Sequence, residues 1–152
     1  VKVVYERVID AKEIRVSPRP VWKCTTCPFY GKRPSCPPYA PSWRDAKEWV
    51  HSYKRVLLLK FGVDMEHFED EKRKILNYLL HKERALFKKY PYAYALFPGA
   101  CNLCEECEFE KSGKCPMPDK VRFSLDAVGI EITSIVPLDF EENALYSLIF
   151  LD

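Results

Sequence analysis

The chain has 152 residues, 47% of them hydrophobic and 30% charged, with 24 basic against 22 acidic side chains for a net charge of +2. That apolar content is enough for one domain with its own core, expected to span 1–152, and the near balance of charge excludes the strong one-signed field of a nucleic-acid or membrane-surface binder. No apolar stretch reaches membrane-spanning length and no leader-like run opens the sequence, so a cytoplasmic protein with no membrane partner is expected. Glutamine is absent and asparagine occurs only at 77, 102 and 143, while Lys, Arg and Glu are plentiful, a composition that fits a thermophile.

In chain order, residues 2–9 are β-branched and aromatic and predict a strand, and 10–14 suit a single helical turn. Residues 17–41 hold seven of the twelve prolines (18, 20, 28, 34, 37, 38 and 41). Each removes a backbone donor and fixes φ, so the segment is predicted to be a loop, neither helix nor internal strand, ordered by Trp22, Phe29, Tyr30, Tyr39 and bound metal. Ser42 caps a helix whose inward stripe is Trp43, Ala46, Trp49, Val50 and Tyr53. Residues 54–63, with Val56-Leu57-Leu58-Leu59, read as the central strand. The longest helix follows over about 66–90, its buried stripe being Phe68, Ile75, Leu76, Leu79, Leu80, Leu86 and Phe87, and Pro91 stops it. Residues 92–97 form a strand that delivers the chain into Pro98-Gly99. A short helix ends at Gly129, and 131–137 and 145–151 supply two more strands. This order predicts an α/β or α+β fold: a mixed sheet of about four or five strands with packed helices and two cysteine-rich metal loops, at about 22–41 and 98–118.

All seven cysteines fall in those two loops. Cys101, Cys104, Cys107 and Cys115 follow the spacing C-x2-C-x2-C-x7-C-P, and thiolates so crowded repel unless a cation holds them. Three at the same short interval are similar to the bacterial ferredoxin run and point to a [4Fe-4S] iron–sulfur cluster; zinc, which more often uses two separated C-x2-C pairs, is the alternative. Upstream lie Cys24, Cys27 and Cys36, which either leave one iron open to a small ligand or take a non-cysteine residue as fourth ligand. Of the histidines, His51 is nearest in sequence, while His67 and His81 read as solvated faces of the long helix. Exchange of Cys36 and Cys115 between the two centres is a second-ranked arrangement. Disulfides are disfavoured by the odd count and by the tiny loops they would close.

Two functions follow. The first is an iron–sulfur protein for electron transfer or small-ligand activation, an oxidoreductase or electron carrier with a redox protein as partner; the acidic edge of Glu105, Glu106, Glu108 and Glu110 is of the kind that docks one. The second is a zinc-stabilised binding module with structural cysteines and a protein or nucleic-acid partner. Lys23, Lys32 and Arg33 among Trp22, Phe29 and Tyr30 could stack on nucleic acid, but the balanced charge argues that they neutralise thiolates instead. No glycine-rich phosphate loop, nucleophile elbow or paired-histidine protease motif is present.

Read together, Cys24-x2-Cys27-x2-Tyr30-Gly31, Cys36-Pro37-Pro38, Gly99-x-Cys101-x-Leu103-Cys104-x2-Cys107, Cys115 and Ser124-x-Asp126-Ala127-x-Gly129-Ile130 resemble a family of small archaeal and anaerobic-bacterial proteins described only as predicted metal-binding proteins of unknown function. The resemblance covers most of the chain. It implies metal at the seven cysteines, with Tyr30, Gly31, Pro37, Pro38, Gly99 and Gly129 as motif positions, and no assigned reaction.

Overall fold

A computed structural model describes residues 1–152. It is an α+β fold with four helices, a four-stranded sheet and a two-stranded one. The larger sheet contains β1 (Lys2–Asp10), β3 (Arg55–Gly62), β4 (Tyr94–Leu96) and β6 (Ala144–Phe150) in the order β1-β3-β6-β4, every pair antiparallel. The smaller pairs β2 (Arg15–Val16) with β5 (Ile130–Glu131).

The unbroken apolar run of β3 is explained by its burial on both faces, as expected for an interior strand. Val56 and Leu58 join Leu96, Leu148 and Phe150 on one face, against Ala46 and Val50 of α2 (Trp43–His51). Leu57, Leu59 and Phe61 join Ala95, Phe97 and Ile149 on the other, against Ile75, Leu76 and Leu79 of α3 (Phe68–Phe87). Ser42 caps α2 by accepting from the Asp45 amide at 3.2 Å. Of the α3 stripe, Ile75, Leu76 and Leu79 are buried, Phe68, Leu80 and Leu86 are half-buried, and Phe87 is exposed. No helix is long and apolar enough to cross a membrane.

Three expectations are corrected. The proline-rich segment opens with a helix, α1 (Pro18–Cys24), because Pro18 and Pro20 occupy its first turn, where a missing N–H is no loss, and Ser17 caps it. The strand expected over 131–137 stops after Glu131, since β2 offers only two partner residues; Ile132–Ser134 instead turns tightly, and the Ser134 hydroxyl takes the Arg15 amide. Trp22, expected to order its loop, is exposed. A short helix, α4 (Glu108–Ser112), also occupies the spacer between Cys107 and Cys115.

Glu131 fixes α1 in place. It accepts from Ser17 and from Nε and Nη2 along one edge of the Arg19 guanidinium, which hold its carboxyl down to about 2. Beside it, the Ser17 amide donates to Gly129 O at 2.9 Å. Gly129 ends the turn Asp126–Val128 at φ 85°, and a Cβ there would lie 2.5 Å from Ser17 O and 2.9 Å from Trp43 Cβ. Both the left-handed backbone and the backbone contact therefore demand glycine. Gly129→Ala should cost at least ~2 kcal/mol, several degrees of melting temperature, whereas Gly113→Ala, strained in φ but free of contacts, should cost about 1 kcal/mol. Thermal melts of both variants check this, and equal losses would show that the Ser17 contact is unimportant.

Candidate metal centres

β4 runs into Phe97, which bridges to Ser124 and is held between the Phe123 carbonyl (2.9 Å) and the Leu125 amide (3.0 Å). From this anchored end the chain passes Pro98-Gly99 into the downstream cysteines. Cys101, Cys104, Cys107 and Cys115 line one cavity of about 20 Å³, walled by apolar groups that include Leu103, Phe109, Met117 and Val121. The seven-residue spacer before Cys115 is what α4 needs: Cys107 precedes its first turn and Gly113, at φ 77°, reverses the chain after its last. Cys101 is buried and the other three half-buried.

The upstream cysteines are gathered by a different device. Cys24 closes α1, and the Cys27 amide donates back to Cys24 O at 3.0 Å, which places the two one turn apart. The loop then folds on itself, the Gly31 amide reaching Pro37 O at 3.0 Å, and this brings Cys36 opposite them. The three thiols line a cavity of about 150 Å³ together with Tyr30, Ser124 and Asp126. Cys36 lines the upstream cavity with Cys24 and Cys27, and Cys115 lines the downstream one with Cys101, Cys104 and Cys107.

These pockets share a wall. Gly99 and Ala100 line the upstream cavity while Cys101, the next residue, lines the downstream one. The Ser35 hydroxyl, fully buried, accepts the Cys101 amide at 2.8 Å, and Ser35 O accepts the Ser124 amide at 3.2 Å. Arg33 spans the same seam: it donates to Cys101 O at 2.5 Å and to Glu110 at 3.0 Å, and lies 4.5 Å over the Phe29 ring. From below, α3 contributes Arg73, donating to Asn102 O at 3.0 Å, and the buried Lys72, whose Nζ packs against Gly99.

Burial makes these thiols poor anions. It pushes Cys24 up to about 12, with the negative charges of Asp126, Cys36 and Cys27 adding to it, and Cys101 up to about 11 against a hydrogen bond from the Leu103 amide. Cys36 is raised by burial too, and Ser35, Arg33 and Lys72 offset part of this. Burial lowers Lys72, but Glu69, Cys101 and Cys36 pull it back toward the charged form. Two sets of soft sulfur donors, each facing a common cavity with cations behind them, fit a thiophilic metal or cluster. Because such a metal must displace protons held by raised thiols, loading of the metal-free protein should release protons and tighten as pH rises from about 6 to about 9. Competition against a chelator across that range tests this; a pH-independent affinity would show that the raised thiols are not the ligands.

The family model described as Predicted metal-binding protein (DUF2284) matches residues 7–139, a span that includes both cysteine groups and the 124–129 turn. The chain belongs to this family. No curated protein and no solved structure matches it.

Within this family member the histidines stand apart from the thiols. His51 bonds Ile14 O at 3.0 Å, His67 pairs with Asp64 at 3.1 Å, and His81 is exposed on α3. Asp64, Glu66 and His67 bring donor atoms within 4.8 Å of one another, but they are exposed and form the cap that precedes α3. Four residues of the seam were not singled out from sequence in these roles: Ser35, Arg33 as a cross-brace, Lys72 and Asp126. Lys72 carries the clearest signal, since it sits on the apolar stripe of α3 between Phe68 and Ile75, where a charge needs a reason. Asp126 lies in the Ser124–Gly129 motif, yet only the folded turn places it beside cysteines about a hundred positions earlier.

Proposed function

We propose that the chain is an iron–sulfur protein that passes electrons through two neighbouring centres within one domain spanning 1–152. The downstream centre is held by Cys101, Cys104, Cys107 and Cys115, and the upstream one by Cys24, Cys27 and Cys36. The observation that carries this reading is the gathering of all seven cysteines around two cavities that share the Ser35–Cys101 wall. Sulfur spacing supports it as well. No three of the sulfurs come within 4.8 Å of one another, whereas thiolates on one tetrahedral zinc lie about 3.8 Å apart.

An iron–sulfur cluster, when bound, supplies one-electron transfer at a potential set by charge, hydrogen bonds and solvent exposure. The chain's own residues determine those terms. Leu103, Phe109, Met117 and Val121 keep water from the downstream thiols, while Arg33 and Lys72 offset sulfur charge at the seam. Upstream, exposed Cys27 and Tyr30 leave the larger cavity open for a small ligand. Of the acidic edge, Glu106 is paired with Lys111 and Glu110 with Arg33, which leaves Glu105 and Glu108 to meet a basic face on a redox protein partner. A reducing cytoplasmic compartment would keep the thiols available.

One observation favours zinc as a second reading: the four-thiol cavity, at about 20 Å³, is much smaller than the upstream one, at about 150 Å³. Protein isolated without oxygen separates the two. The iron–sulfur reading expects a brown protein with iron and acid-labile sulfide, in which Cys104→Ser removes the downstream centre and leaves the upstream one. Colourless protein with stoichiometric zinc would establish the alternative.

A further inference from the structure

Three thiols do not fill a four-ligand site, and the walls of the upstream cavity offer few candidates for the fourth. Besides the cysteines, its side chains with polar atoms are Lys23, Tyr30, Ser124 and Asp126. Lys23 is exposed and its side chain carries donors only, and Tyr30 ends in a single phenolic O–H, which is donor as well as acceptor. Ser124 is already engaged, its hydroxyl accepting the Ala127 amide at 3.1 Å. Asp126 alone is a carboxylate, an acceptor-only group, and it lines the cavity with no side-chain hydrogen bond or ion pair elsewhere in the fold.

Its position is nonetheless fixed. The turn Asp126–Val128 is set by the Ser124 hydroxyl at one end and the left-handed Gly129 at the other. That turn is tied to the helix bearing Cys24 through the Ser17 amide and Gly129 O, 2.9 Å apart. A carboxylate that lines the same cavity as three sulfur donors is favourably placed once a cation sits among them. Resting on the metal-centre reading above, we propose that Asp126 is the fourth ligand of the upstream centre, which thereby becomes a three-thiolate, one-carboxylate site. A hard oxygen donor on a soft, sulfur-bound metal is the ligand most readily displaced. Asp126 is also exposed at the cavity mouth, so this is the position at which an incoming small thiol or anion would bind.

The test compares wild type, Asp126→Ala, Asp126→Asn and Asp126→Cys, each purified without oxygen, by metal and sulfide per chain and by electron paramagnetic resonance of the reduced protein. Loss of the side chain breaks no hydrogen bond, so all four should fold, as metal-free thermal melts would verify. Asp126→Ala and Asp126→Asn should each lose at least roughly one metal ion per chain and alter only the upstream signal. Asp126→Cys should restore the metal with a changed signal, a rescue that a structural role would not produce. Wild-type metal content and an unchanged signal in both Asp126→Ala and Asp126→Asn would overturn the inference and leave the two-centre reading intact. Wild-type protein in which Cys27→Ser changes neither metal nor signal would instead show that the upstream centre does not exist, and both would fall.

Discussion

Ser35 joins three separate stretches of chain at one buried point. Its hydroxyl takes the Cys101 amide, its carbonyl takes the Ser124 amide, and its peptide continues into Cys36. The upstream loop, the downstream loop and the 124–129 turn thus meet through two direct hydrogen bonds, which fix their relative placement. A buried amide deprived of its acceptor loses its full hydration. The joint is therefore hard to open, and it holds seven sulfur donors in two adjoining groups. Arg33 repeats the connection from outside, and Lys72 supplies positive charge from beneath.

The remainder of the fold gives that joint a rigid support. An antiparallel sheet whose interior strand β3 is buried on both faces carries Phe97 to the seam, and the bridge from Phe97 to Ser124 fixes the start of the downstream loop against the turn that bears Asp126. On one side α3 delivers Lys72 and Arg73; on the other the Glu131 network positions α1 and its terminal Cys24. Glu83 adds a clamp, accepting both the Ala95 amide and the Arg122 guanidinium, so the chain leaving Cys115 returns to the sheet edge. Metal loops on such a frame lose little freedom on binding, because their ends are already ordered.

Local pattern made most of the frame legible. The run Val56 to Leu59 read as the central strand, Ser42 announced α2, and Gly129 marked the end of a short helical segment. Cysteine grouping alone also separated the two loops. What sequence could not supply depended on position within an element or on distant partners. Proline at 18 and 20 reads as a helix breaker until Ser17 is recognised as a cap that puts both in the first turn. Residues 131–137 have strand composition, yet a strand needs a neighbour, and β2 is too short to be one for long. Asp126 and Cys24 are brought together solely by the packing of α1 on the 124–129 turn, which leaves no periodic trace.

The proposed function requires cations among the two groups of sulfurs. Anomalous diffraction from crystals grown without oxygen, measured on either side of the iron and zinc absorption edges, tests it most directly. The prediction is two iron peaks, one enclosed by Cys101, Cys104, Cys107 and Cys115 and the other by Cys24, Cys27, Cys36 and Asp126. Ordered loops with no anomalous scatterer in either cavity would contradict it.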